Sequence, residues 1–134
     1  MGLFSKKAKT VEQANKVKDL HEKRYSIPYS KNFRGFKKFP IWVHGNEEAM
    51  KNNKILCKME LTDPKVVFVC MDQENVHPKT RMALVFVDDI KAGAVFVSDE
   101  DRVSPIENGL IEAVHIEKDM NEERLRFFVK YKKE

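Results

Sequence analysis

Four short apolar runs in the middle of the chain carry its strongest pattern: 54–61 (KILCKMEL), 65–71 (KVVFVCM), 81–87 (RMALVFV) and 93–98 (GAVFVS). They are rich in Val, Phe and Met and each is closed by turn-forming residues, the signature of consecutive β-strands. In 54–61, Ile55, Cys57, Met59 and Leu61 fall on one face and Lys54, Lys58 and Glu60 on the other, with Leu56 as the exception. Thr62-Asp63-Pro64 then predicts a tight turn that pairs this run with 66–71 as a hairpin. The runs 82–87 and 94–97 are apolar on both faces, so both faces of that part of the sheet are expected to be covered. Residues 88–93 are assigned to the turn between them. Val67, Val69, Leu84, Phe86, Val95 and Val97 are the expected core.

The flanking segments follow the same logic. Val11, Ala14, Val17 and Leu20 recur every third residue, a narrow apolar stripe that predicts a helix over 10–24, capped by Thr10 and available to cover one face of the sheet. Residues 1–9 read as a flexible tail. Pro28, Gly35 and Pro40 punctuate 25–42, which is assigned to an extended connection leading into a short strand at 41–44. Asn46 is an N-cap for a short helix over 47–51, with Glu47 and Glu48 in its first turn. Polar loops are expected at 72–80 and 99–109, and the last two strands at 110–117 and 124–132. In the latter, Leu125, Phe127, Val129 and Tyr131 alternate with Arg124, Arg126 and Lys130, and Phe128 interrupts the alternation.

No repeat or Gly/Ser linker divides the sequence, so residues 1–134 are read as a single domain. The predicted fold class is α+β: an N-terminal helix packed on a mostly antiparallel sheet or partly closed barrel of about six to seven strands.

Composition narrows the class. With 42% hydrophobic and 34% charged residues, there is enough apolar material for a core, and wholesale disorder is excluded. No apolar run approaches the roughly 18 residues that span a bilayer. The N-terminal residues carry no signal-peptide pattern, and Gly2 does not complete a myristoylation motif because Lys6 stands where Ser or Thr is required. A cytoplasmic location is the resulting expectation. Cys57 and Cys70 are read as two reduced core residues rather than a disulfide.

Charge adds an asymmetry. Residues 1–40 hold eleven Lys/Arg against three acids, a balance of +8; the remaining residues hold fourteen against eighteen, a balance of −4, which recovers the net +4. Within 25–42 the cations Lys31, Arg34, Lys37 and Lys38 alternate with aromatics at 25, 29, 33, 36, 39 and 42. Lys16 and Lys23 are expected to join them on one positive surface. Such a surface suits a polyanion, with lysines and arginines meeting phosphates and rings available for stacking. It also fits an anionic membrane surface touched by Leu3 and Phe4, or a basic segment folded back on its own acidic sheet.

Candidate chemistry is sparse. Asp72, followed by Asp89-Ile90-Lys91, has the skeleton of a metal-dependent nuclease site, in which carboxylates hold Mg²⁺ and the lysine offsets developing charge. The acidic triplet Asp99-Glu100-Asp101 lacks the spacing of an EF-hand, and His21, His44, His77 and His115 share no metal spacing. No phosphate-cradling glycine loop or nucleophile elbow occurs. The sequence therefore favours a small non-enzymatic binding module. It would meet an anionic partner, nucleic acid in first place, through Lys16, Lys23, Lys31, Arg34, Lys37 and Lys38, with no cofactor and no metal. A nuclease built on Asp72, Asp89 and Lys91, and a protein–protein adaptor pairing through a strand edge, are the alternatives.

Overall fold

The computed structural model describes residues 22–73, 80–96 and 102–133. The predicted helix over 10–24 therefore lies outside the described residues up to position 21, as do the tail at 1–9, Lys16 and Val97. Positions 22–24 are not helical. They open strand β1, Glu22–Ile27.

The described residues form an α+β fold of seven strands and two helices, all strand pairs between named elements being antiparallel. Chain order is β1, β2 (Lys37–Lys38), α1 (Glu47–Lys58), β3 (Val66–Gln73), β4 (Thr80–Val87), β5 (Ile90–Phe96), α2 (Val103–Glu107), β6 (Ile111–Asp119) and β7 (Arg124–Tyr131). They make two open sheets rather than one partly closed barrel. The first has the order β1-β3-β4-β5 and the second β2-β7-β6.

The helix α1 is the largest departure from the hydrophobic pattern. Residues 54–58 of the strand predicted at 54–61 are its second half, and the short helix predicted at 47–51 is its first. Asn46 caps it as expected, its Oδ1 accepting from the Ala49 amide at 3.0 Å. The buried positions are Ala49, Asn53, Leu56 and Cys57, at helical spacing. The polar residue in the middle of that series disguises the period, so the remaining Ile55, Cys57, Met59 and Leu61 mimic a strand. Ile55 is in fact exposed. Residues 59–65 consequently join a helix to β3, and the predicted hairpin between 54–61 and 66–71 does not exist.

Asn53 is buried and bonds to three elements. Its Nδ2 donates to Ala49 O within the helix at 2.8 Å and to Ala92 O of β5 at 2.7 Å, and its Oδ1 accepts from the Leu125 amide of β7 at 2.8 Å. One amide thus ties the helix to both sheets.

The predicted central strands are present. β3 and β4 pair from Val66↔Val87 to Gln73↔Thr80, and the turn into β5 is two residues long, Asp88 and Asp89, both at positive φ. That is the geometry a two-residue hairpin loop demands, and it leaves 90–93 inside β5 rather than in the turn. A bulge between Val85 and Phe86 shifts the β4–β5 register. Beside it, Gly93 lies against the backbone of Trp42, where an added Cβ would sit 2.6 Å from Trp42 O. Trp42 exchanges two backbone hydrogen bonds with Ala94, at 2.7 and 3.1 Å, an isolated bridge where a strand over 41–44 was expected.

β4 is buried on both faces, as its two-sided apolar pattern predicts, and its neighbour β3 shares that burial. Phe68, Cys70, Ala83, Val85, Val87 and Val95 join the main core with Phe39, Leu56, Ile106 and the inner side chains of β6 and β7. Val67, Val69 and Phe86 form a smaller cluster on the opposite face, with half-buried Leu84 against it. The loop expected at 99–109 contains α2, which buries Val103 and Ile106 and is tied to β4 by an Arg81–Glu107 ion pair. Pro105 is tolerated there because it stands in the first turn. Cys57 and Cys70 are both buried and neither is in a disulfide.

Two stability outcomes follow. Asn53→Leu orphans the buried Ala92 carbonyl and Leu125 amide and should cost about 3 kcal/mol or more. Phe86, only 4% exposed, should cost about 3 kcal/mol on truncation to Ala. Urea unfolding checks both; a loss below about 1 kcal/mol with unchanged denaturant slope would contradict the assigned role.

Candidate functional site

Residues 28–41 form a strap across the second sheet, built from the segment that the sequence marks as basic and aromatic. Leaving β1, the chain lies against the outer edge of β6: Ser30 N donates to Val114 O at 2.8 Å and Val114 N to Pro28 O at 2.9 Å. It then turns at 33–36, where Phe36 N donates to Phe33 O at 3.0 Å and Gly35 takes φ +82°. It returns as β2 on the far edge, Lys37↔Val129 and Lys38↔Phe128, and Phe39 N donates to Phe127 O at 2.8 Å. The strap therefore runs from one edge of the β7–β6 ladder to the other.

A ring stack clamps its middle. Phe33 lies parallel to His115, with centroids 4.4 Å apart and an interplanar angle of 10°, and Tyr29 stacks on the same imidazole at 5.8 Å. His115 is 5% exposed. Its Nδ1 donates to Ser30 O at 2.7 Å, because a carbonyl can only accept, and Nε2 meets the Glu117 carboxylate. Phe128 borders the stack. Burial, followed by nearby Glu117 and Asp63, pushes the Tyr29 hydroxyl up from its ordinary value against the lowering effect of its contact with Ile116 O. Phe33 keeps 45% of its surface in water, so the clamp is also a partly open aromatic face.

Phe39 is buried and Tyr29 and Phe36 are half-buried, whereas Trp42 is 60% exposed; the cations turn out. Lys31, Arg34, Lys37 and Lys38 are all exposed, as expected for charges that are costly to bury. Lys23 is exposed too, but it belongs to β1 of the other sheet, opposite Cys70. Lys16 lies outside the described residues. The structure thus gathers four of the six predicted cations on one strap and sets Lys23 apart.

It also adds two that the sequence reading passed over as mere alternation in β7. Between 38–41 and β7 lies a cleft of about 150 Å³. Lys38, Arg124 and Arg126 supply its cations, and Phe39, Pro40, Ile41 and Phe127 its apolar walls. Arg124 is 8% exposed. Its Nη2 donates to Ile41 O at 2.8 Å and its Nε to Leu125 O at 3.2 Å. Burial first, and then the neighbouring Arg126, pulls it below the usual guanidinium range, opposed by Asp119 and Glu122. Arg126 is held by Asp119, Nε and Nη2 each 3.0 Å from Oδ2. The cue in the sequence was the run of basic residues on one face of β7; only the docking of β2 beside it makes a cleft.

The acidic skeleton does not assemble. Asp72 pairs with Arg81, whereas Asp89 follows Val87, the partner of Val66, at the other end of the ladder. Six strand residues separate the two levels, roughly 20 Å, too far to share one ion. Asp89 instead lies 3.4 Å from Lys65, and Lys91 3.5 Å from Glu48. Among the described residues, no group of three or more His, Cys, Asp and Glu is arranged to hold a metal. No described helix is long and apolar enough to cross a membrane. Strand edges are partly occupied: Trp42 bridges to β5, 28–30 line β6, and β2 lines β7.

Comparison with protein-family models, with curated proteins and with solved structures finds no match to the chain.

Two outcomes test this geometry. Phe33→Ala removes the stack on His115, worth about 1 kcal/mol; hydrogen exchange at the Ser30 and Phe36 amides should quicken about fivefold, and unchanged rates would mean that backbone pairing alone holds the strap. Asp119 is held below the usual carboxylate range, first by the Glu122 amide and then by Arg126. Its stabilising contribution is therefore present above the unfolded-state value of about 3.9 and lost as pH falls through the lower folded value. Acid titration of Asp119→Asn should lack that part of the wild-type profile.

Proposed function

We propose that this chain is a small binding module that holds an anionic partner, nucleic acid in first place, against the basic strap. The observation that carries the reading is the sorting of side chains along 31–39. Phe33 is committed to His115 and Phe39 to the core, while Lys31, Arg34, Lys37 and Lys38 all face solvent. A segment anchored beneath by rings and cationic above offers positive charge without ordering four long side chains into specific ion pairs. Phosphate contacts of this kind do not read sequence. The placing of Asp72 and Asp89 at opposite ends of the β3–β4 ladder weighs against the nuclease alternative, and the partly occupied sheet edges weigh against a strand-pairing adaptor.

Fluorescence anisotropy with labelled single-stranded and duplex oligonucleotides tests the reading. Four phosphate contacts give a log–log salt slope of about −3.6 on duplex and −2.8 on single strands, so duplex affinity should fall about a hundredfold between 50 and 200 mM salt. Micromolar binding at the lower salt should vanish when Lys31, Arg34, Lys37 and Lys38 are all changed to Ala. Absence of binding at about 50 mM salt, or equal binding by that variant, would end the proposal.

A further inference from the structure

We infer that the cleft between 38–41 and β7 is a receptor for one phosphate monoester group, with Arg124 at its floor and Lys38 and Arg126 at its walls. The inference deepens the anionic-partner reading and names the group that this part of the surface would take.

Arg124 is the starting point. A guanidinium stays charged throughout the physiological range, and burying a charge is costly unless it is paired. Here the residue is 8% exposed, and the two acceptors it reaches are neutral backbone carbonyls. Among the described residues it has no carboxylate at ion-pair distance and no acceptor on Nη1. A cation held this deeply by carbonyls alone serves packing poorly, since a hydrophobic residue of similar size would fill the same space at lower cost. It is well placed, however, to meet an anion entering the cleft it lines.

Size and charge specify that anion. A cavity of about 150 Å³ can hold a molecule as large as benzene, and a phosphate group is smaller. Lys38, Arg124 and Arg126 contribute three positive charges to the cleft, opposed by Asp119 on Arg126 and by Glu122 near Arg124. The surplus of positive charge suits a phosphate monoester, which carries about −1.5 to −2 near neutral pH and offers three acceptor oxygens. A carboxylate or an internal phosphodiester brings a single charge and fewer free oxygens to share among the three cations. Arg124 Nη1 and the second Nη2 proton lie outside its two carbonyl bonds and can donate to phosphate oxygens, Arg126 is shared with Asp119, and lysine acts as a movable point charge. The apolar walls from Phe39, Pro40, Ile41 and Phe127 limit water around the group and strengthen these contacts.

Inorganic phosphate titrated into the full chain, followed by the NMR signals of the arginine Nε–H groups, tests the cleft directly. The Arg124 and Arg126 signals should move together, with a dissociation constant at or below about 1 mM. Arg124 variants risk unfolding, so two others carry the comparison. Lys38→Glu, at an exposed position, should weaken phosphate about tenfold or more by reversing a wall charge. Asp119→Asn keeps an oxygen for the Glu122 amide, removes the competing carboxylate, and should tighten phosphate severalfold. Oligonucleotides with and without a 5′-phosphate separate this inference from the broader one. Preferential binding of the phosphorylated strand, lost in Lys38→Glu, supports the cleft. Phosphate binding at Arg124 without any oligonucleotide binding sustains the cleft and sinks the nucleic-acid reading. Oligonucleotide binding indifferent to the terminal phosphate, with Arg124 silent to inorganic phosphate or with Asp119→Asn no tighter than wild type, overturns the cleft alone.

Discussion

The hydrogen bonds of Asn53 are the constraint on which the arrangement of layers depends. A buried carboxamide has two donors and an acceptor to satisfy, and here each is used on a different piece of backbone: the preceding turn of α1, β5 and β7. Apolar packing would hold a helix over two sheets but would not specify its axial position, because hydrophobic contacts are non-directional. The amide supplies direction. It places Leu56 and Cys57 into the core that both sheets share and fixes how β7 lies relative to β5. Since β2 pairs with β7, the return of the strap, and hence the cleft, inherits its position from this buried contact.

The strap is a second device with two consequences. By lining β6 with 28–30 and β7 with β2, it supplies hydrogen-bond partners along both outer edges of the second sheet, which would otherwise invite pairing with other chains. In crossing from one edge to the other it must span the outer faces of β6 and β7, and His115 receives it there. The imidazole bonds to the Ser30 carbonyl and stacks on Phe33 and Tyr29. Each lysine and arginine of the crossing is thereby left with solvent as its cheapest environment. The positive surface follows from how the aromatics are buried.

Electrostatics then separates two kinds of cation. Those on the strap are exposed and interchangeable in position, so their effect on an anionic ligand is long-range and screened by salt. Arg124 is enclosed, with its fork oriented by two carbonyls, and screening acts on it far less.

Part of this was legible in the sequence. The runs 66–71, 82–87 and 94–96 are strands because unbroken β-branched and aromatic residues have no better use than a sheet buried on both faces, and Asn46 caps a helix because its side chain replaces a missing backbone acceptor. Burial of the strand hydrophobics and exposure of Lys31, Arg34, Lys37 and Lys38 follow from the same transfer energetics, while Trp42 stays exposed. The sequence misled where one residue served a tertiary purpose. Asn53 is polar yet buried, so the helical period through Ala49, Leu56 and Cys57 looked broken and a strand was inferred at 54–61. Residues 22–27 carry no strand signal of their own and become β1 only because β3 offers an edge. The cleft was invisible for the same reason. Arg124 and Arg126 are ordinary alternating positions of a terminal strand until β2, more than eighty residues earlier, pairs beside them. Local pattern decides which residues seek water and which avoid it; the hydrogen bonds between distant segments decide which of them meet.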